Sequence, residues 1–198
     1  MSAAHITVPA GEMAWKLPSR GKVAMLALIL AESCIFAIFV IAYIYYIGKS
    51  VSGPLPQEVL EAPIFNSICL LSSSLTIHFA VAALRKGRLG AFKFWWFATL
   101  ALGAEFMTGT MLEWRHLIYE QGLTIKTNLF GTTYYSLVGL HAFHVTAGLV
   151  ILLAVMLFAL AGKVKEEHEE RCEVISYYWH FVDVVWVVVF TVVYIVGR

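Results

Sequence analysis

The chain has 198 residues, of which 60% are apolar and 14% are charged, and its net charge is +1. A soluble domain carries about 25% charged residues and cannot bury this much apolar surface, so composition excludes a soluble globular protein. Disorder requires few apolar residues and a nucleic-acid-binding surface requires a basic excess, so both are excluded as well. The composition predicts an integral membrane protein.

Residues 1–21 contain two prolines and two glycines and predict a short N-terminal tail, whereas residues 22–198 predict a transmembrane domain. Five apolar runs in this domain are near the length of about 20 residues that a membrane-crossing helix needs. We place these runs at 22–47, 63–85, 91–117, 130–161 and 173–197. The links are mostly short, which favours antiparallel neighbours. The predicted fold is an all-α bundle of five transmembrane helices.

Lysine and arginine predict the orientation of the bundle. There are three near the tail, four around the second link and three around the fourth, against four on the other side. Because positive residues collect on the cytoplasmic side, we expect a cytoplasmic N-terminus and an external C-terminus. An odd number of spans places the two ends on opposite faces, which agrees.

The three cysteines, Cys34, Cys69 and Cys172, are far apart in the sequence. There is no CxxC or CxxCH motif, so the spacing predicts no zinc, iron–sulfur, dinuclear copper or covalent haem site. We expect these cysteines to act as small apolar side chains.

Several ionisable side chains lie inside the predicted spans, where a charge costs at least ~2.5 kcal/mol. They are Glu32, His78, Glu105, Glu113, His141, His144, Glu173, His180 and Asp183. Each is a candidate functional group, and for each the ordinary alternative is a hydrogen bond between helices. For Glu32 the two alternatives are a proton-storing or lipid-contacting carboxyl and a silent structural hydrogen bond.

Spacing along the helices adds geometry to these candidates. His141 and His144 are three residues apart and share one helix face. Gly139 and Gly148 allow another helix to approach the fourth run closely. A polar line also follows one face of the fifth run: Glu173, Ser176 with Tyr177, His180 and Asp183. We expect the polar faces to meet inside the bundle.

Aromatic side chains near the ends of the runs predict contacts at the membrane interface. They are Trp15, Trp95, Trp96, Trp114, Tyr177 and Tyr178.

Two motifs carry a family resemblance. Residues 139–148, GLHAFHVTAG, resemble the G-x-H-x-x-H-V-x-x-G signature of subunit III of haem–copper oxidases. Residues 178–186, YWHFVDVVW, resemble the W-H-F-x-D-V-V-W signature in the last helix of that family. Residues 66–78 and the position of Glu32 are similar to the family as well. The resemblance covers nearly everything from residue 22 onward and corresponds to the short, five-helix form.

The resemblance implies a subunit of a proton-pumping terminal oxidase of cytochrome c or quinol type, located in the bacterial inner membrane. Such a subunit holds no redox centre, because haem and copper belong to its partners. It packs against subunit I, beside subunit II and in some complexes a small subunit IV. It holds phospholipids in a cleft, and it supports proton uptake and active-site stability.

The resemblance also suggests contacts of this chain with lipid or subunit I. Candidates are Glu32, His78, Glu105, Glu113, His141, His144, Arg171, Glu173, Trp179, His180 and Asp183. Among them, His141, His144, Arg171 and His180 are candidates for lipid head groups or for the lining of the cleft. No catalytic residue, no cofactor-binding residue and no metal ligand is expected in this chain, and no nucleic acid is an expected partner.

The third run departs from the family pattern. Glu105 is unexpected at its position, and Thr110 stands where the family tends to have Gln or Glu. Glu113 is retained. We therefore expect Glu105 to have a partner specific to this complex.

Three alternatives stay open from the sequence. One is an accessory subunit of a nitric oxide reductase. A second is an independent b-type cytochrome, in which His78 and His180 could face each other across a haem, with His141 and His144 as further ligands. A third is a transporter that uses Glu32 and Glu105, although no internal repeat is present.

Overall fold

A computed structural model describes residues 19–197, and every regular element in this range is helical. The helices are α1 (Arg20–Tyr46), α2 (Pro56–Val59), α3 (Ile64–Arg85), α4 (Leu89–Tyr119), α5 (Leu129–Leu160) and α6 (Glu169–Phe190). A 3₁₀ turn, Glu166–His168, leads into α6, and a π-helical segment, Thr191–Val196, extends it. Five of these helices coincide with the predicted runs. Most of the predicted tail, including Trp15, lies outside the described residues.

Four helical segments are long and apolar enough to cross a membrane. They are α1, α3, α5 and the segment Glu166–Val196 that contains α6. The fifth long helix, α4, has 31 residues. It is less apolar because Glu105 and several Thr, Gly and Trp residues occupy its middle.

Side-chain caps and glycine turns set the ends of the helices. Asn128 caps α5, because its Oδ1 accepts a hydrogen bond of 2.8 Å from the backbone N–H of Gly131. Its Nδ2 donates to the carbonyls of Ser52 and Pro54, which ties the loop after α1 to the start of α5. Gly87 supplies the positive φ of 66° that ends α3 and lets α4 turn back beside it.

The helices α3 and α4 form a closely packed antiparallel hairpin, and α6 lies between α3, α5 and α1. The helix α1 packs on α5 and α6 at one edge of the bundle. Only Phe36 and Tyr43 of α1 are buried, and most of its apolar surface faces outward. The core therefore lies among α3, α4, α5 and α6.

Large aromatic rings fill this core, and the structure corrects part of the predicted interface belt. Trp96 is fully buried, and its indole N–H donates a hydrogen bond of 2.9 Å to the carbonyl of Leu152. Tyr178 is also buried, and its hydroxyl donates to the carbonyl of His144. Because these polar atoms have partners inside the bundle, both rings belong to the core.

Candidate functional site

Glu32 and His144 join α1 to α5. His144 Nε2 lies 3.1 Å from Glu32 Oε2, and His144 Nδ1 lies 2.8 Å from the carbonyl of Leu140. A carbonyl only accepts, so Nδ1 carries a proton and Nε2 of a neutral ring is an acceptor. Glu32 and His144 therefore share one proton, carried either by the carboxyl or by an imidazolium. This geometry matches both alternatives considered for Glu32, a protonatable group and an interhelical hydrogen bond.

A second polar cluster joins α3 to α6. The hydroxyl of Ser74 donates to Asp183 Oδ2 and lies 2.9 Å from His180 Nδ1, which donates to it in turn. Asp183 is 3% exposed, whereas His180 is half-buried and faces a groove on the outer surface. His78 is exposed on α3. The structure thus brings together His180 and Asp183 of the predicted polar line.

Two tryptophans of α6 donate to two serines of α3. Trp179 Nε1 lies 2.7 Å from Ser73 Oγ, and Trp186 Nε1 lies 3.0 Å from Ser67 Oγ. Both indoles are buried. Trp179, predicted as a contact with lipid or subunit I, is therefore an interior residue whose hydrogen bond stabilises the α3–α6 contact.

Glu113, near the C-terminal end of α4, is hydrogen-bonded to two tyrosines. The hydroxyls of Tyr194 and Tyr134 donate to Glu113 Oε1 over 2.8 Å and 3.1 Å. Tyr194 belongs to the π-helical segment and Tyr134 to α5, so this carboxylate links three elements.

His141 is fully buried, which corrects its prediction as a head-group or cleft-lining residue. Its ring stacks on Trp186 with centroids 5.0 Å apart and meets the edge of Phe106. Neither ring nitrogen has a hydrogen-bond partner among residues 19–197. A side chain enclosed in this way cannot contact lipid.

Glu105 lies beside Cys69 of α3, and one of its carboxyl oxygens is buried without a partner in the described part of the chain. Because this oxygen is enclosed by the chain itself, it does not bear on the prediction that Glu105 has a partner in another chain, which stays a prediction.

Charged residues collect where α1 and α6 begin and α3 ends, which we call the basic end of the bundle. Glu173 lies 2.9 Å from Lys22 and 3.5 Å from Arg85, and Arg85 also lies 2.6 Å from Glu169. The hydroxyl of Tyr177 donates to Glu173 as well. Because these side chains are partly exposed, each ion pair contributes little alone, and the network aligns the three helix ends.

A groove of about 720 Å³ separates α1 from α6 on the outer surface. Its polar members are Ser33, Tyr177 and His180, and all others are apolar. Arg171, predicted to contact head groups, lies elsewhere, in a pocket with Lys163 and His168 between α5 and α6. Among residues 19–197, no set of three or more His, Cys, Asp or Glu side chains is arranged to hold a metal ion.

The sequence prediction missed the partners of the buried polar groups. Ser67 and Ser73 accept hydrogen bonds from the two α6 tryptophans, and Ser74 is hydrogen-bonded to His180 of the same helix. The hydroxyls of Tyr134 and Tyr194 donate to Glu113. The spacing of Ser67 and Ser73 along α3 is close to the spacing of Trp179 and Trp186 along α6. This similarity is the sequence signal that could have revealed the contacts.

Comparison with known proteins shows which family this chain resembles. The family model for cytochrome c oxidase subunit III matches residues 18–198. Cytochrome c oxidase subunit 3 of Synechocystis sp. is 39% identical over 171 residues, which cover 84% of this chain and 72% of the relative. The corresponding subunit of Alkalihalophilus pseudofirmus is 32% identical and covers 84% and 82% of the two chains.

A quinol-type relative is similar to the same degree. Cytochrome bo(3) ubiquinol oxidase subunit 3 of Pseudomonas aeruginosa is 32% identical over 171 residues, covering 85% of this chain and 81% of the relative. The family match spans nearly the whole chain and includes all the helices described above. This chain therefore belongs to the subunit III family of haem–copper oxidases and is an oxidase subunit III.

Proposed function

We propose that this chain is the subunit III of a proton-pumping terminal oxidase that reduces oxygen to water, and that it is not itself catalytic. The match to the subunit III family over residues 18–198 carries this proposal. Haem and copper would lie in partner subunits, with subunit I as the direct neighbour and subunit II and a small subunit IV as further partners. The chain would support proton uptake and active-site stability.

The proposed placement is five transmembrane helices in the bacterial inner membrane, with the basic end of the bundle in the cytoplasm. Lys22, Arg85 and Lys163 all lie near this end, and positive residues are retained on the cytoplasmic side of membranes. α4 is long enough to cross the membrane at 31 residues, and its central Glu105 would face a partner.

The complex tests this function directly. We expect a haem–copper subunit I to co-purify with this chain from its native membrane in mild detergent. The reduced-minus-oxidised haem spectrum should leave with subunit I when the two are separated. Haem that stays on the isolated chain would contradict the proposal and would make the four intramembrane histidines candidate ligands.

The groove between α1 and α6 supports a phospholipid site. Its walls are almost wholly apolar, which suits acyl chains, and its volume of about 720 Å³ accommodates several chain segments. It lies on the outer surface, beside the half-buried His180. We assign the bound phospholipid expected of this family to this groove.

Filling the groove tests this assignment. Val184 is 63% exposed and lines the groove, so Val184→Trp should displace acyl chains and lower the number of lipids retained by the purified complex. Val187 is 48% exposed on the same helix but does not line the groove, so Val187→Trp is the matched control. Lipids are counted by mass spectrometry after purification. Equal lipid counts in the two variants would contradict the assignment.

A further inference from the structure

Two tyrosine hydroxyls and one carboxylate oxygen form a compact hydrogen-bonded group inside the bundle. The hydroxyls of Tyr134 and Tyr194 both donate to Glu113 Oε1, and they lie 3.4 Å from each other. The two tyrosines are 0% and 4% exposed, so the fold encloses both rings. Since Oε1 accepts both bonds, it carries no proton and can take one along the 2.8 Å bond from Tyr194.

The local backbone sets Tyr194 apart from the other residues at the end of α6. Tyr194 lies in the π-helical segment Thr191–Val196, where the backbone N–H of Gly197 donates to the carbonyl of Val192, five residues earlier. Segments of this kind are rare and occur frequently at functional sites. Because a π-helical turn holds more residues than an α-helical turn, it changes the direction in which Tyr194 points relative to the rest of α6.

Glu113 also has a connection to the outside of the bundle. It lines a pocket of about 380 Å³ together with the polar residues Asn66, His116 and Glu61. His116 and Glu61 are exposed. A proton that Glu113 receives therefore has a polar route to the surface.

Other aromatic rings continue from the two tyrosines in both directions. On the interior side, the ring centroid of Trp186 lies 6.3 Å from that of Tyr194. On the other side, the ring of Tyr135 lies 5.1 Å from that of Tyr134 and 5.6 Å from that of Trp114. Tyr135 and Trp114 are half-buried. Tyrosine and tryptophan are the aromatic side chains that give up an electron most readily, so this series connects the core to partly exposed rings that can be oxidised.

We propose that Tyr134 and Tyr194 form a redox-active pair that intercepts oxygen-derived radicals, with Glu113 as the proton acceptor. The radical takes one electron from Tyr194 and is thereby reduced. The O–H bond of Tyr194 breaks, its proton forms an O–H bond with Glu113 Oε1, and a neutral tyrosyl radical remains. Tyr134 can pass an electron and its hydroxyl proton to this radical over 3.4 Å, which moves the radical to Tyr134.

The pair is restored by a reducing agent of the ascorbate class at the surface. One electron returns through the rings of Trp114 and Tyr135, and the proton held by Glu113 returns to the tyrosyl oxygen. No atom is lost or gained by the chain in this cycle. The supply of oxygen-derived radicals by an oxygen-reducing complex rests on the proposed function, whereas the chemistry of the pair depends only on this chain.

A second tyrosine–carboxylate contact provides a comparison within the same chain. The hydroxyl of Tyr177 donates to Glu173 over 3.0 Å. Glu173 is paired with Lys22 and Arg85, so its negative charge is already neutralised, whereas Glu113 takes part in no ion pair within residues 19–197. Tyr177→Phe is therefore the matched control.

The test is electron paramagnetic resonance on the full-length chain, purified with whatever subunits accompany it. Photogenerated tris(bipyridine)ruthenium(III) serves as the one-electron oxidant, and samples are frozen directly after illumination. We expect the signal of a neutral tyrosyl radical, which should narrow when the protein contains ring-deuterated tyrosine. The radical should form more slowly in D₂O, because a proton moves with the electron. A radical confined to tryptophan, or equal rates in H₂O and D₂O, would overturn the proposal.

Variants locate the radical and its proton acceptor. The double variant Tyr134→Phe, Tyr194→Phe should lose most of the signal, whereas Tyr177→Phe should keep it. Glu113→Gln retains an acceptor oxygen for both hydroxyls but no base, so the radical should form roughly a hundredfold more slowly, within the usual contribution of a positioned base. A full signal in the double variant, or an unchanged rate in Glu113→Gln, would contradict the assignment.

The fold of these variants is checked by their unfolding midpoints in detergent. We expect the midpoint of Glu113→Gln to stay close to that of the unmodified chain, because the glutamine amide oxygen accepts the same two hydrogen bonds. The effect of D₂O on the unmodified chain tests the proton step without any substitution.

The two proposals fail independently. Absence of a haem–copper partner would contradict the proposed function and leave the tyrosyl radical measurable on the chain. A normal oxidase complex without this radical would contradict only the redox-active pair.

Discussion

Gly148→Ala is expected to destabilise the bundle by about 1–3 kcal/mol, the usual cost of overfilling a packed core. A Cβ at Gly148 would lie 2.8 Å from the Trp179 ring, and a Cβ at Gly103 would lie 2.9 Å from the same ring. The indole is fully buried and is anchored by its hydrogen bond to Ser73, so it cannot move aside easily. We expect a lower thermal unfolding midpoint in detergent and less of this chain retained in the complex.

Gly139→Ala is the matched control on the same helix. A Cβ there meets only the Trp114 ring at 3.7 Å, an ordinary contact. Alanine also favours helix over glycine, so this variant should be neutral or slightly stabilised. Trp179→Phe should partly rescue Gly148→Ala, because the smaller ring leaves room for the methyl group. Equal unfolding midpoints for the two alanine variants would contradict this packing.

Removing the Glu32 carboxyl is expected to weaken the attachment of α1. Glu32→Ala and His144→Ala should each cost about 1–3 kcal/mol, because each leaves a buried or half-buried polar partner unpaired. The double variant should cost less than the two single variants together, which is the signature of a direct interaction. The costs are measured as shifts in unfolding in detergent, and amide hydrogen exchange along α1 should rise in parallel.

The conservative variant Glu32→Gln sharpens this prediction. Since Nδ1 of His144 donates to Leu140, Nε2 can accept a hydrogen bond from the glutamine amide. Glu32→Gln should therefore keep most of the stability that Glu32→Ala loses. Ser33→Ala is the control, because within residues 19–197 this hydroxyl bonds only to the carbonyl of Ile29 in its own helix. Fully additive single variants would contradict a direct Glu32–His144 contact.

The positions of the helices could be predicted from the sequence because each long helix corresponds to a long apolar run. These runs match α1, α3, α4, α5 and α6. The sequence was insufficient for the direction in which each side chain points. His141 and His144 lie on one side of α5, yet His141 packs among Phe106 and Trp186, whereas His144 contacts α1. Which of two near neighbours faces the core depends on where the adjacent helices sit.

The same limit applies to the aromatic residues and to the charged loop. Trp95 and Trp96 are consecutive, so their side chains are about 100° apart around α4, and only Trp96 enters the core. The charged link before α6 likewise gives no sign in the sequence that Glu169 pairs with Arg85 at the end of α3 or that Glu166 lies against Gly87. Such contacts join distant parts of the chain and leave no local pattern.

The serine contacts of α6 on α3 also determine how this subunit can move. Trp179 meets Ser73, Asp183 meets the adjacent Ser74, and Trp186 meets Ser67, so the antiparallel helices are matched at two levels of α3, one at Ser73 and Ser74 and the other at Ser67. Sliding one helix by a single turn, about 5.4 Å, would break all three contacts at once and offer no equivalent set. We therefore expect α3 and α6 to move as one unit, whereas α1, which buries only Phe36 and Tyr43, is held by fewer interior side chains.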